Sequence, residues 1–113
     1  MSQILIVDDD VEIREALTTL LLDHGYTVST AANGREALAA LRVARPCLIL
    51  LDLMMPIMSG WEFLELLNAD PVLRDIPVCV ISAMPDRAPA GVARVLAKPL
   101  KLELLLGALA DHC

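Results

Sequence analysis

Four short apolar runs, each followed directly by a polar residue, constrain the fold of this chain more than any other feature. The runs cover residues 4–7, 48–51, 78–81 and 95–97. Bounded apolar runs of this length are typical of strands buried on both faces, as in a parallel sheet covered by helices. The residues that follow the runs are Asp8 and Asp9, Asp52, Ser82, and Lys98. Because the carboxyl ends of parallel strands share one edge of a sheet, we expect these side chains to form one site.

The segments between the runs show helical periodicity, so strands and helices alternate along the chain. This alternation predicts an α/β fold, a parallel sheet with helices on both faces. A weaker strand over residues 27–32 brings the predicted strands to five. The helices are predicted from about Val11 to His24, from Gly34 to before Pro46, from Ser59 through Leu67, and from near Leu100 onward. Asp10 is the expected N-cap of the first helix, and Ser59 and Glu62 have capping-box spacing.

The last predicted helix carries a leucine stripe at helical spacing. The stripe is expected to face the core and consists of Leu102, Leu105, Leu106 and Leu109. Leu104 lies opposite this stripe, where it is either an ordinary exposed leucine or part of a docking patch.

The segment between Ser82 and Lys98 departs from the alternating pattern. It contains Pro85, Pro89 and Gly91, which oppose a regular helix. We therefore expect at most a single helical turn, within residues 88–94.

Composition and charge narrow the class of protein. The 113 residues suffice for one domain, expected over residues 1–113. Although 57% of the residues are hydrophobic, the longest apolar stretch is interrupted by Asp52 and Pro56, which argues against a membrane span. A net charge of −6 argues against nucleic-acid binding. No secretory signal is visible, so we expect a cytoplasmic protein.

The three cysteines, Cys47, Cys79 and Cys113, have no metal-ligand spacing. Two of them lie in strand-like runs. We therefore expect buried thiols in a reducing cytosol rather than a zinc or redox role.

The three aspartates would repel one another at a shared edge, so the cluster is best explained as a cation site. Mg²⁺ takes carboxylate oxygens and keeps water or phosphate oxygens as its other ligands. A carboxylate beside Mg²⁺ can also be the nucleophile toward a phosphoryl group. Lys98 and Ser82 would then supply an ammonium and a hydroxyl to the phosphoryl oxygens. Taken alone, Asp8 and Asp9 also fit a strand-end turn capped by Asp10.

In this order and register, the motifs resemble the receiver domains of two-component response regulators. They are Val7-Asp8-Asp9, Asp52 with Met55-Pro56 and Gly60, Ser82-Ala83, and Lys98-Pro99. The resemblance covers essentially the whole chain and implies a flavodoxin-like strand order, 2-1-3-4-5. It also implies a phospho-acceptor at Asp52 and a Mg²⁺ site made by Asp8, Asp9, Asp52 and the backbone carbonyl of Met54. Lys98 and Ser82 would contact the phosphate, and the Lys98–Pro99 peptide would be cis.

The resemblance implies a sensor histidine kinase or a phosphotransfer protein as the phosphoryl donor. The chain would signal through protein–protein contact with a downstream protein, or pass the group on in a phosphorelay. Such a switch catalyses only its own phosphorylation and dephosphorylation and is otherwise not an enzyme.

The sequence departs from the family in two places. The segment from Ser82 to Lys98 is short, so the fourth helix of the family is expected to be reduced or missing. The aromatic residue that the family uses as a switch, three positions before the lysine, is here Val95. These departures leave open a second function, a docking module that acts without phosphorylation. An aspartyl phosphatase is disfavoured because position 54 is Met, where such enzymes carry a second Asp.

Overall fold

Five parallel strands alternate with four helices in the computed structural model, which describes residues 3–113. The strands are β1 (Gln3–Val7), β2 (Thr27–Ala31), β3 (Leu48–Asp52), β4 (Val78–Ser82) and β5 (Arg94–Ala97). The helices are α1 (Val11–Asp23), α2 (Gly34–Val43), α3 (Gly60–Ala69) and α4 (Leu102–His112). The predicted alternation of strands and helices is confirmed.

The sheet has the order β2-β1-β3-β4-β5, and every neighbouring pair is parallel. This is the flavodoxin-like order that the resemblance implies. Residues Ile4 to Val7 of β1 and all of β3 and β4 are buried, as expected for strands covered on both faces.

Two apolar clusters lie on opposite faces of the sheet. On one face, Leu5, Ile49 and Val80 pack with residues of α2 and α3, among them Ala37 and Phe63. The other cluster joins strand residues with those of α1 and α4, and includes Ile6, Leu50, Leu21 and Leu105. The high hydrophobic fraction is thus accounted for by a two-sided core. Among residues 3–113, no helix combines the length and the apolar character that crossing a bilayer requires.

Side-chain caps start the first three helices where the sequence predicts them. The Asp10 carboxylate accepts a hydrogen bond from the Glu12 amide at 2.9 Å. Asn33 does the same for the Glu36 amide at 2.9 Å. Ser59 and Glu62 form a complete capping box. These caps fix where each helix begins relative to the strand before it.

A single 3₁₀ turn, Pro85–Arg87, replaces a helix between β4 and β5. The expected loss of the fourth family helix is confirmed, but the position predicted for the turn, residues 88–94, is wrong. Proline is favoured at the first position of a helical turn because its fixed φ suits it, so Pro85 begins the turn. Pro89 and Gly91 then prevent the turn from continuing as a helix. The φ of Gly91 is 92°, which lies outside the helical region.

The leucine stripe of α4 is confirmed only in part. Leu105 and Leu109 are buried and Leu106 is partly buried, whereas Leu102 is 45% exposed, so its predicted core position is wrong. Leu102 is the first residue of α4, and the buried face starts one turn later. Leu104 is 49% exposed, as predicted.

The prediction of reduced thiols is wrong for two of the three cysteines. Cys47 and Cys113 form a disulfide across a sequence separation of 66 residues, whereas Cys79 is a buried free thiol. Cys47 directly precedes β3 and Cys113 directly follows α4, so the fold brings the start of a strand and the end of a helix together. Spacing along the sequence gives no sign of this proximity.

Gly60 is predicted to be essential for the loop after β3. A Cβ there would lie 2.6 Å from the Leu53 Cα and 2.8 Å from the Asp52 carbonyl oxygen. We expect Gly60→Ala to lower the free energy of unfolding by roughly 1–3 kcal/mol, because backbone would have to shift. Gly107→Ala is the matched control. Its Cβ meets nothing within 4 Å, and alanine should stabilise α4 by about 0.5–1 kcal/mol. Urea unfolding of both variants checks this, and equal losses would contradict it.

Candidate functional site

Three carboxylates meet at the carboxyl ends of β1 and β3. One oxygen each from Asp8, Asp9 and Asp52 can be chosen so that all lie within 4.8 Å of one another. Asp8 and Asp52 are only 4% and 7% exposed, whereas Asp9 faces solvent. The predicted convergence of the three side chains is therefore what the structure shows.

Lys98 brings a positive charge between the two buried carboxylates. Its Nζ atom lies 3.8 Å from Oδ2 of Asp8 and 3.8 Å from Oδ2 of Asp52. The backbone also fixes this position, because the Lys98 amide donates to the Ser82 carbonyl oxygen at 2.9 Å, directly after β5. The peptide between Lys98 and Pro99 is cis, as the resemblance implies.

Backbone amides hold the other oxygen of each buried carboxylate. The Asp10 amide donates to Oδ1 of Asp8 at 2.9 Å, and the Met54 amide donates to Oδ1 of Asp52 at 3.3 Å. In both side chains, Oδ1 is therefore held by the turn after the strand, and Oδ2 faces Lys98. This arrangement orients both carboxylates without a further side chain.

Sequence reasoning missed Arg14, which supports the turn after β1. Its Nη1 donates to the carbonyl oxygen of Asp8 at 2.7 Å. Its position could have been noticed from the sequence. Arg14 lies four residues after the Asp10 cap, in the first turn of α1, and helical side chains point back toward the N-terminal end, which here is the strand end.

Ser82 ends β4, next to β3 in the sheet. It follows Ile81, which pairs with Asp52 in the sheet, and is 2% exposed. Its Oγ accepts a hydrogen bond from the Met84 amide at 3.0 Å. The hydroxyl therefore links the edge of the site to the segment that leads into the 3₁₀ turn.

The loop after β3 contains an unusual backbone conformation at Ile57. Its φ is 70°, and the Met58 amide donates to the Pro56 carbonyl oxygen at 2.7 Å across it. A left-handed conformation is rare for a β-branched residue, and sequence reasoning did not predict it. The Ile57 side chain is 73% exposed, and Met54 nearby in the loop is 56% exposed.

Trp61, the only tryptophan of the chain, connects this loop region to the short segment after β4. Its Nε1 donates to the Arg87 carbonyl oxygen at 3.3 Å. The indole is partly buried, and it lines a shallow cavity with Met54, Met55 and Ser59. It is therefore placed to report changes in either loop.

The absence of a helix after β4 leaves one side of β5 partly uncovered. Val95 is 38% exposed, and Leu96, which points to the other face, is buried. Val95 pairs in register with Val80. The position that carries an aromatic switch in the family thus holds a short aliphatic side chain at the surface.

The electrostatics of the site favour a proton or a cation. The pKa of Asp8 is raised, mainly by burial and further by the negative charge of Asp52. The hydrogen bond from the Asp10 amide acts in the opposite direction and lowers it. The pKa of Asp52 is also raised, again mainly by burial, with the Met54 amide and Lys98 opposing. A single ammonium does not compensate fully for two desolvated carboxylates.

The sequence matches the response regulator receiver domain over residues 4–110. This chain belongs to that family. Two-component receivers are signalling switches and are generally not classed as enzymes. The family also has an acidic cluster for Mg²⁺, and here the corresponding residues are Asp8, Asp9 and Asp52.

Curated relatives are similar to this chain over their receiver portion. The DNA-binding response regulator MtrA of Mycobacterium tuberculosis is 39% identical over 84 residues, which cover 74% of this chain and 36% of that protein. The response regulator MprA of Mycolicibacterium vanbaalenii is 39% identical over 110 residues, covering 92% of this chain and 47% of MprA. The chain therefore spans less than half the length of these relatives.

Solved structures of receivers have the same fold. The chemotaxis protein CheY4 of Vibrio cholerae superposes with a TM-score of 0.87 at 34% identity, covering 100% of this chain and 99% of CheY4. The receiver domain of a histidine kinase from Syntrophus aciditrophicus gives a TM-score of 0.87 at 31% identity, covering 98% of this chain and 89% of that one.

The raised pKa values of Asp8 and Asp52 predict that stability falls as pH rises. In metal-free buffer, the folded state binds more protons than the unfolded state at pH values between the ordinary carboxyl pKa and the raised pKa values of the folded state. The free energy of unfolding should therefore decrease as pH rises through that window and stay low at neutral pH. Asp52→Asn should flatten this dependence and raise stability at pH 7 by roughly 1–3 kcal/mol, the scale of partly screened like charges.

Urea unfolding between pH 3.5 and 8 measures this dependence. Asp75→Asn is the matched control, because Asp75 is an exposed aspartate just before β4, at the other end of the sheet. It should leave the pH profile unchanged. The same profile for wild type and Asp52→Asn would contradict the assignment of the effect to the buried cluster.

Proposed function

We propose that this chain is a phospho-accepting switch in which Asp52 receives a phosphoryl group. The observation that carries the proposal is the placement of Asp52, 7% exposed, with Oδ2 3.8 Å from Lys98 Nζ and with two further aspartates beside it. The donor is a phosphohistidine of a sensor histidine kinase or of a phosphotransfer protein.

The transfer uses the Asp52 carboxylate as the nucleophile. A carboxylate oxygen bonds to phosphorus while the phosphorus–nitrogen bond of the donor breaks, and the electron pair of that bond stays on the imidazole nitrogen. The Met54 amide holds Oδ1 at 3.3 Å, which limits rotation of the carboxylate. Orientation of this kind lowers the entropy lost on reaching the transition state.

The residues around Asp52 suit a Mg²⁺ ion. The three clustered carboxylates are hard oxygen donors, and two of them are desolvated and only partly neutralised by Lys98, so a divalent cation would balance them. Asp9 and Asp52 would be direct ligands with the Met54 carbonyl, and Asp8 would act mainly through water. When bound, Mg²⁺ would neutralise charge on the phosphoryl oxygens.

Lys98 and Ser82 are proposed to contact the phosphoryl group once it is on Asp52. The Lys98 ammonium is already close to Oδ2, so a phosphoryl oxygen would replace part of its interaction with the carboxylates. Ser82 now accepts a hydrogen bond from Met84, and its hydroxyl proton remains free to be donated. Rotation of the Ser82 hydroxyl toward the phosphate would release the Met84 amide and so alter the segment before Pro85–Arg87.

The output is proposed to pass through this short segment rather than through an aromatic switch. Val95 has no ring to turn inward, whereas Trp61 connects α3 to the Arg87 carbonyl. A phosphorylated population would favour one arrangement of the segment, and protein–protein contact would read it. The same acyl phosphate would alternatively be passed on in a phosphorelay. No nucleic acid or membrane is a proposed partner, in keeping with the charge of −6.

A docking module that acts without phosphorylation is the second candidate. It is favoured by the exposed Val95 and by the lack of a helix over β5. A partner that binds Asp52→Ala as tightly as wild type would support this candidate, whereas loss of binding with the fold intact would support the switch.

Acetyl phosphate with Mg²⁺ provides a direct test, since it needs no partner. We expect intact mass to show one phosphoryl group on wild type and none on Asp52→Asn, and Trp61 fluorescence to change only for wild type. Lys98→Ala should slow phosphorylation by roughly 10²-fold, because it removes a charge that stabilises the developing phosphoryl oxygens.

Asp75→Asn is again the control and should behave as wild type. Phosphorylation of Asp52→Asn to the wild-type level, or a wild type that remains unmodified with Mg²⁺ present, would overturn the proposal.

A further inference from the structure

The end of the molecule opposite the acidic site carries a feature that the proposed switch does not use. There, the disulfide between Cys47 and Cys113 joins the residue before β3 to the residue after α4. Cys113 is exposed and Cys47 is partly buried, so small reagents can reach the bond. A structural disulfide deep in the core would lack such access.

We propose that Cys47 and Cys113 are a reversible redox site that responds to a low-molecular-mass disulfide of the glutathione type and holds the last turn of α4 against the sheet. This inference goes beyond the proposed phosphorylation and does not depend on it.

The structure accommodates both redox states of the pair. Sγ of Cys47 lies 3.3 Å from the Gln3 carbonyl oxygen, so a reduced Cys47 thiol has an acceptor in place. The Cys113 thiol would be in contact with water. Neither thiol would be left buried without a partner, and reduction need not disturb the core.

The third cysteine does not compete for the pairing. Cys79 is fully buried among core side chains, and burial raises the pKa of its thiol to about 11. Because the thiolate is the reacting species, Cys79 stays inert in the folded chain. Oxidation therefore has one intramolecular product.

The oxidation proceeds by two exchange steps. The Cys113 thiolate attacks one sulfur of oxidised glutathione, which forms a mixed disulfide and releases one glutathione thiolate. The Cys47 thiolate then attacks Sγ of Cys113, so that the protein disulfide forms and the second glutathione leaves. The protein loses two electrons and two protons, and two reduced glutathione molecules carry them away.

In the folded state, the structural effect of reduction should be confined to the end of α4. Leu105, Ala108 and Leu109 anchor the middle of the helix in the core, whereas Ala110, Asp111 and Cys113 are exposed. Without the disulfide, the residues after Leu109 keep the ion pair between Arg94 and Asp111, and none of their side chains is fully buried. Exposed pairs of this kind contribute little, so the turn should fray when the bond opens.

The test equilibrates the whole chain in reduced or oxidised glutathione under native conditions. After oxidation, we expect intact mass to show the loss of two hydrogens. The Tm should rise by roughly 10 °C, because a bridge that closes a loop of this length restricts the unfolded chain. Amide exchange by local opening should slow at residues 109–113, and the amides of β1 and β3, which exchange through global unfolding, should slow in step with the gain in stability.

Three variants separate the pair from other effects. Cys113→Ser, at an exposed position, and Cys47→Ser should both lose the redox response and match the Tm of reduced wild type to within a few degrees. Cys79→Ala is the matched control and should keep the full response, although its Tm is lower.

Each alternative result would overturn the proposal. These results are no loss of two hydrogens under oxidising conditions, loss of the response in Cys79→Ala, or equal Tm and exchange in both redox states. No measurement in this set involves Asp52, so failure here leaves the test of phosphorylation independent.

Discussion

Two buried carboxylates that share one lysine are the interaction on which the rest of the site depends. Asp8 directly follows β1 and Asp52 ends the adjacent strand β3, and their Oδ2 atoms are each 3.8 Å from Lys98 Nζ. Lys98 follows β5, two strands away from β3. Three strands must therefore end at the same level before the charges can balance. Any register error in the sheet would leave a desolvated carboxylate without its cation, which is far more costly than a missing surface ion pair.

This dependence explains why sequence reasoning located the acidic cluster. Strands buried on both faces have no polar positions except at their ends, so polar residues directly after the apolar runs had few other places to go. Asp8, Asp9, Asp52 and Lys98 are brought together for this reason. Parallel pairing and helices on both faces followed from the same pattern, and the caps Asp10 and Ser59 were readable because capping is local. The strand order needed the resemblance to receivers.

What sequence reasoning missed depends on tertiary proximity or on competition between local preferences. Cys47 and Cys113 are 66 residues apart, and only the packing of α4 brings them together. Leu102 fits the helical period, but period alone does not tell where the supporting core begins. The 3₁₀ turn formed at Pro85 because proline is suited to the start of a turn as well as being a breaker within one. The left-handed backbone at Ile57 contradicts the preference of a β-branched residue and has no local sequence signal.

The hydrogen bond from the Lys98 amide to the Ser82 carbonyl oxygen has a mechanical consequence. It adds one hydrogen bond to the β4–β5 pairing beyond the end of β5. The residues that carry the hydroxyl and the ammonium of the site are therefore hydrogen-bonded to each other through their backbones. Neither the Ser82 backbone nor the Lys98 backbone can move toward Asp52 alone without stretching this hydrogen bond. Inward movement of one strand end therefore draws the other with it, so the backbones that carry the hydroxyl and the ammonium move together, while each side chain keeps its own rotation.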